Sequence, residues 1–80
     1  MQITVRFFAG LREAFGAGMT TLELPAESSV ATVWQILVAA HPALDTGVSL
    51  AYAVNRAYAE PTTILHDGDE LALIPPVSGG

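Results

Sequence analysis

Ser28-Ser29-Val30-Ala31-Thr32-Val33-Trp34-Gln35-Ile36-Leu37-Val38-Ala39-Ala40-His41-Pro42 carries the spacing of a long helix. Val30, Val33, Ile36, Leu37 and Ala40 recur at helical intervals, with Trp34 and Val38 flanking the stripe. Ser28 or Ser29 supplies an N-cap, because a hydroxyl there accepts from an otherwise unpaired backbone N–H. His41-Pro42 stops the helix, since the residue before a proline is pushed out of helical geometry. The spacing therefore predicts one main helix over Val30 to Ala40.

On the N-terminal side, residues 2 to 8 alternate. Ile3, Val5 and Phe7 share one face, and Thr4, Arg6 and Phe8 share the other. That pattern predicts a strand. Residues 10 to 16 suit a short helical turn that brings Leu11 and Phe15 together. Gly16 and Gly18 permit a reversal. Met19 to Leu24, rich in Thr and Leu, then reads as a second strand paired to the first, and Pro25 ends it.

On the C-terminal side, residues 43 to 50 read as a loop around Gly47. Leu50 to Val54 is predicted as a third strand, Asn55-Arg56 as a turn, and Tyr58 as part of a short edge strand. Pro61 breaks that segment, and Ile64-Leu65 is expected to form one more turn. His66-Asp67-Gly68-Asp69 has the composition of a tight turn. Glu70 to Ile74 reads as the last strand, with Leu71 and Leu73 on one face and Ala72 and Ile74 on the other.

The order is β-β-α-β-β with short extras. It predicts an α+β, β-grasp (ubiquitin-like) fold: a mixed sheet, one main helix across it, and an extended C-terminal tail. The first and last strands should lie parallel at the centre. Residues 1-74 form the domain, and 75-80 form a flexible Gly-Gly tail. With 80 residues there is room for one domain.

Charge and composition narrow the function. The net charge is −5, and the cations are Arg6, Arg12 and Arg56, with no Lys. Few cations disfavour nucleic acid and anionic membrane as partners. An acidic surface favours a basic protein through steering, or simply keeps the chain dissolved. There is no Cys, so disulfides, thiolate-bound zinc and a thiol nucleophile are excluded. The first residues lack a basic region followed by an apolar run, and no apolar run has the length of a membrane span. A soluble, cytoplasmic protein is expected.

No catalytic constellation stands out. His41 lies at a helix end and His66 in a turn, and neither sits in a pattern with a Ser. Two His without Cys make a poor metal set, so no metal is expected. Asp67, Asp69 and Glu70 stop short of a calcium loop and read as a solvated turn. Gly16-Ala17-Gly18 lacks the Lys and the following helix of a phosphate loop.

The tail remains: Pro75-Pro76-Val77-Ser78-Gly79-Gly80. Two prolines stop the strand and hold the next segment extended. Gly79 and Gly80 have no side chains, so they can enter a channel too narrow for any Cβ and present the Gly80 carboxylate at its end. The bland alternative is a frayed terminus. A carboxylate becomes an electrophile when ATP adenylates it. A sulfur nucleophile then yields a thiocarboxylate, and an amine yields an amide. Such a carrier needs no catalytic side chain of its own, because partners supply positioning and electrostatics. Lacking Lys, the chain offers its own activated tail no lysine to acylate.

Phe8-Ala9-Gly10-Leu11-Arg12-Glu13, Ala53-Val54-Asn55, Asp67-Gly68-Asp69-Glu70 and Pro75-Pro76-Val77-Ser78-Gly79-Gly80 closely resemble, in order and over nearly the whole chain, the small subunit of molybdopterin synthase, the MoaD-type sulfur carriers. The resemblance implies that a ubiquitin-activating-type adenylyltransferase adenylates Gly80 and that a sulfurtransferase step makes the thiocarboxylate. It implies docking on the synthase large subunit in a heterotetramer, whose active site lies on that large subunit. There the tail would give sulfur to cyclic pyranopterin monophosphate, two turnovers completing the dithiolene. No cofactor is expected on this chain; ATP is used by the activating enzyme.

Phe8 and Ile74 point away from the predicted core, so neighbouring first and last strands would make them an apolar patch beside the tail. Tyr58 would extend it, in place of the aliphatic residue usual in the family. The expected partner interface is Phe8, Tyr58, Ile74, Pro75, Pro76, Val77 and Ser78. Arg12 is either an ion-pair partner or a solvated cation. The same body and tail would also suit sulfur carriers for thiamine thiazole, cysteine or tRNA thiolation, a ubiquitin-like protein modifier, or an interaction module with an inert tail.

Overall fold

A computed structural model describes residues 1–47 and 49–76. The elements are β1 (Gln2–Phe7), α1 (Ala9–Phe15), β2 (Met19–Glu23), α2 (Val30–Ala40), a 3₁₀ turn (Pro42–Leu44), β3 (Ala51–Val54), β4 (Ala57–Ala59) and β5 (Glu70–Ile74). The sheet has five strands in the order β2-β1-β5-β3-β4. β1 and β5 are parallel neighbours, with Val5 beside Leu71 and Phe7 beside Leu73. Every other pairing is antiparallel. This is the predicted β-grasp.

The core follows from alternation. Ile3, Val5 and Phe7 of β1 and Leu71 and Leu73 of β5 are buried on one face of the sheet. α2 covers that face with Val30, Val33 and Leu37. Leu11, Leu24, Leu44 and Leu65 close the edges of the cluster. Each such side chain contributes about 1.5–3 kcal/mol by leaving water.

Several boundaries differ from the sequence reading. β1 ends at Phe7, and Phe8 instead precedes α1 in extended conformation. Two members of the expected helical stripe, Ile36 and Ala40, are exposed, whereas Trp34 packs against the core. At about 100° per residue, Val30, Val33, Trp34 and Leu37 form one arc, and Ile36 falls outside it. The expected loop after α2 begins with the 3₁₀ turn, which buries Leu44. Ile64, expected in a turn, instead makes an isolated bridge to Ser29. Of the two candidate caps, Ser29 accepts from the Thr32 N–H at 3.3 Å, while the Ser28 hydroxyl donates to the Pro25 carbonyl at 2.8 Å.

Phe15 stacks on Phe7 with ring centroids 4.2 Å apart and meets His41 edge-on at 4.7 Å. His41 is thus a packing residue at the end of α2. Gly16 ends α1 in left-handed geometry (φ 94), where a side chain would be strained. Among the described residues, no helix is long and apolar enough to cross a membrane.

Candidate functional site

Among the described residues, the face of the sheet opposite α2 is open, with only Ala9 and Gly10 at the start of α1 along its margin. Its side chains follow from the register. Across the strands, Met19, Arg6, Ala72, Ala53 and Tyr58 stand in one row, because each is the Cα partner of the next. The two alanines are the low point of that row. Arg6 flanks them on the β1 side and Tyr58 on the β4 side. The result is a groove of about 840 Å³ floored by Ala53 and Ala72.

One end of the groove is apolar. β1 and β5 run in parallel, so Phe8 and Ile74 leave the sheet side by side. They line the groove together with Pro75 and Pro76. Phe8 is 43% exposed and Tyr58 84% exposed, unusual values for aromatic side chains. Ala9 bends the chain away from β1 with a left-handed backbone (φ 49), beside the groove. That strained residue keeps Phe8 on the open face while Leu11 turns into the core.

The other end is polar. Arg6 Nε lies 3.3 Å from Glu70 Oε1, the two being diagonal neighbours on β1 and β5. Both side chains are substantially exposed, so the pair contributes about 1 kcal/mol at most. Arg56 lines the same end from the β3–β4 turn and has no ionic partner among the described residues. Asn55 and Arg56 both have positive φ, 50 and 71, as a two-residue turn between antiparallel strands requires.

Asn55 fixes that turn. Its Nδ2 donates to Asp69 Oδ1 at 2.9 Å, and its Oδ1 accepts from the Glu70 N–H at 3.0 Å. Asp69 in turn accepts from the His66 N–H at 2.8 Å, and Asp67 accepts from the Gln2 N–H at 2.7 Å. The Asp-Gly-Asp segment is therefore a structural staple. It ties the start of β1, the start of β5 and the β3–β4 turn together.

Of the residues the sequence nominated, Phe8, Tyr58, Ile74, Pro75 and Pro76 line this one groove. Val77, Ser78, Gly79 and Gly80 lie outside the described residues. Sequence reasoning left out Arg6, Arg56, Glu70 and the alanine floor. The alternation already placed Arg6 beside Phe8, but which strand faces which was needed to complete the row. Arg12 lies in α1, its guanidinium against Gly18.

The model of the ThiS family matches residues 5–80. The chain belongs to the ThiS family. This ThiS-family chain is 42% identical to the molybdopterin synthase sulfur carrier subunit of Chlamydomonas reinhardtii, covering 100% of both. Its fold matches SAMP1 from Haloferax volcanii with a TM-score of 0.89 and 31% identity, again over 100% of both chains. It also matches a chain in the complex of subunits 1 and 2 of molybdopterin-converting factor from Helicobacter pylori, with a TM-score of 0.72, 29% identity and 100% coverage of both.

Proposed function

We propose that this chain is the sulfur carrier subunit of a molybdopterin synthase. The observation that carries the proposal is the 42% identity, over the full length of both chains, to a relative with that name. The residue pattern supports it independently. The apolar end of the groove adjoins Pro75 and Pro76, the base of the segment that leads to Gly80.

The chemistry belongs to the Gly80 carboxylate. An activating enzyme of the ubiquitin-activating type transfers AMP from ATP to it and releases pyrophosphate. A sulfurtransferase then supplies sulfur, AMP departs, and one carboxylate oxygen has been replaced by sulfur. The large subunit binds the open face, with Phe8, Tyr58 and Ile74 as apolar anchors, and receives the tail from Pro75 to Gly80. Sulfur passes to cyclic pyranopterin monophosphate, and water attacks the acyl carbon as its bond to sulfur breaks, returning the tail to its carboxylate. Two loaded carriers complete one dithiolene within a cytoplasmic heterotetramer. The chain binds no metal or cofactor; it is the sulfur donor, and the catalytic groups lie on the large subunit.

The test is removal of Gly79-Gly80. The shortened chain should fold, bind the large subunit more weakly and acquire no sulfur, as read by intact mass after incubation with the activating enzymes, ATP and a sulfur source. Sulfur gain by the shortened chain would refute the proposal.

A second reading, attachment of the tail to lysines of other proteins, is favoured by the high fold similarity to SAMP1; proteins of that name are called small archaeal modifiers. Isopeptide-linked Gly80 in peptide maps of whole cells would support it.

A further inference from the structure

The groove has two unlike ends, and docking through the apolar end leaves the polar end unexplained. Arg6 is already opposed by Glu70 at 3.3 Å. Arg56 has no ionic partner among the described residues, yet it lines the same groove. Its turn is pinned by three hydrogen bonds between Asn55 and residues 69 and 70, two donated by Asn55 and one accepted, the third being the Asn55 N–H to the Glu70 carbonyl at 2.8 Å. The base of the arginine therefore cannot withdraw by rearranging the turn. A partner that covers the groove strips water from Arg56 and must return a hydrogen-bond acceptor, or suffer a desolvation penalty.

We propose that Arg56, with Tyr58 beside it, is a carboxylate-reading subsite that selects a protein partner carrying an Asp or Glu at the polar end of the groove. This inference rests on the carrier reading and names a specificity element within its docking face. Charge complementarity commits the occupant: the guanidinium is planar and presents paired donors that match a carboxylate. Both residues line the groove, Arg56 from the β3–β4 turn and Tyr58 from β4. Tyr58, 84% exposed, forms the side wall against which the acidic side chain's stem lies. β5 runs from Glu70 at the polar end to Ile74 at the apolar end. At roughly 3.3 Å per residue, the partner's carboxylate sits about 13 Å from its contact with Phe8 and Ile74. The subsite selects largely by exclusion, since a partner with an apolar or cationic residue at that distance leaves Arg56 buried and unanswered.

The experiment measures association and dissociation rates of the full chain with the large subunit of molybdopterin synthase from the same cells, over a range of salt. Wild type, Arg56→Gln, Arg56→Glu and Tyr58→Ala are compared. All three substitutions are at exposed positions and should leave the fold intact. Arg56→Gln should weaken binding a few-fold and flatten its salt dependence, and Arg56→Glu should weaken it by about tenfold or more at low salt, much of it in the association rate. Tyr58→Ala should weaken binding with the wild-type salt dependence. Wild-type affinity in Arg56→Glu would overturn the inference, and so would equal losses in Arg56→Gln and Arg56→Glu at every salt concentration, which would mark a role of shape alone. Sulfur loading of the wild-type tail, followed by mass, separates the two levels. A wild type that loads and binds the large subunit while Arg56→Glu binds equally well sinks only the subsite. A wild type that neither loads nor binds sinks the carrier reading and the subsite with it.

Discussion

Asn55 joins two parts of the sheet that are far apart in sequence. It occupies a left-handed position (φ 50) that asparagine tolerates better than most residues, and its amide meets both Asp69 and the Glu70 N–H. Asn55→Asp would set two carboxylates against each other. We expect a loss of about 1 kcal/mol, read from urea unfolding. Adding Asp69→Asn should restore stability: the amide introduced at 69 can donate to the carboxylate introduced at 55, while its oxygen still accepts from the His66 N–H. Failure of the double variant to recover would show that Asn55 acts through its backbone alone. A different limit applies at Gly79. If the tail threads a narrow channel, Gly79→Val should abolish sulfur transfer to the pterin while leaving stability unchanged, because only a Cβ-bearing branched side chain has been added. Turnover at the wild-type rate would remove the channel from the mechanism. The sequence showed Asn55-Arg56 as a turn, but not the Asp69 contact, since that depends on β3 lying beside β5.

At the scale of elements, α2 shows how a periodic pattern can be read correctly in extent and only partly in direction: Val30, Val33 and Leu37 are buried as expected, and Ile36 and Ala40 are not. Its ends were legible from Ser29 and Pro42. The edge of its buried arc was not, because Ile36 and Leu37 are adjacent and equally apolar, and only the position of the sheet decides between them. Leu37 is 2% exposed and Ile36 40% exposed. Leu37→Ala should therefore cost about 2–5 kcal/mol, and Ile36→Ala below about 1 kcal/mol, in equilibrium denaturation. Similar costs for both would place the helix in the wrong rotation. The open face of β1 and β5 is tested in the same way by Phe8→Asp. A carboxylate at this half-exposed site should leave the fold standing but weaken the complex with the large subunit by about tenfold or more, since docking would bury it unpaired. Unaltered affinity would exclude Phe8 from the interface.

For the whole molecule, stability rests on a single apolar cluster with no staple, since the chain has no Cys. Partial burial raises the Tyr52 phenol above its ordinary value by desolvation. Below about pH 10 the phenol is neutral in both folded and unfolded chains, and no stability depends on it. Above that range the unfolded chain ionises first, binds fewer protons than the folded chain, and gains relative to it. Stability should fall as pH rises past about 10, and Tyr52→Phe should reduce that fall. An identical alkaline decline in the variant would assign it to other groups.

Composition and periodicity alone determined the class of fold, the extent of the main helix, the core residues of β1 and β5, and the nomination of the Gly-Gly tail. These are local properties: alternation marks a strand face, a hydroxyl marks a helix start, and proline ends an element wherever the chain goes next. The tertiary structure alone decided that Ile36 and Ala40 lie outside the buried arc of α2, that β3 lies beside β5, and that Arg6, Ala72, Ala53 and Tyr58 stand in one row, whereas the pairing of β1 with β2 and with β5 was already expected. A groove is a relation between strands distant in sequence. Its shape is set by the register that the buried faces impose when β1 and β5 pack beneath the helix.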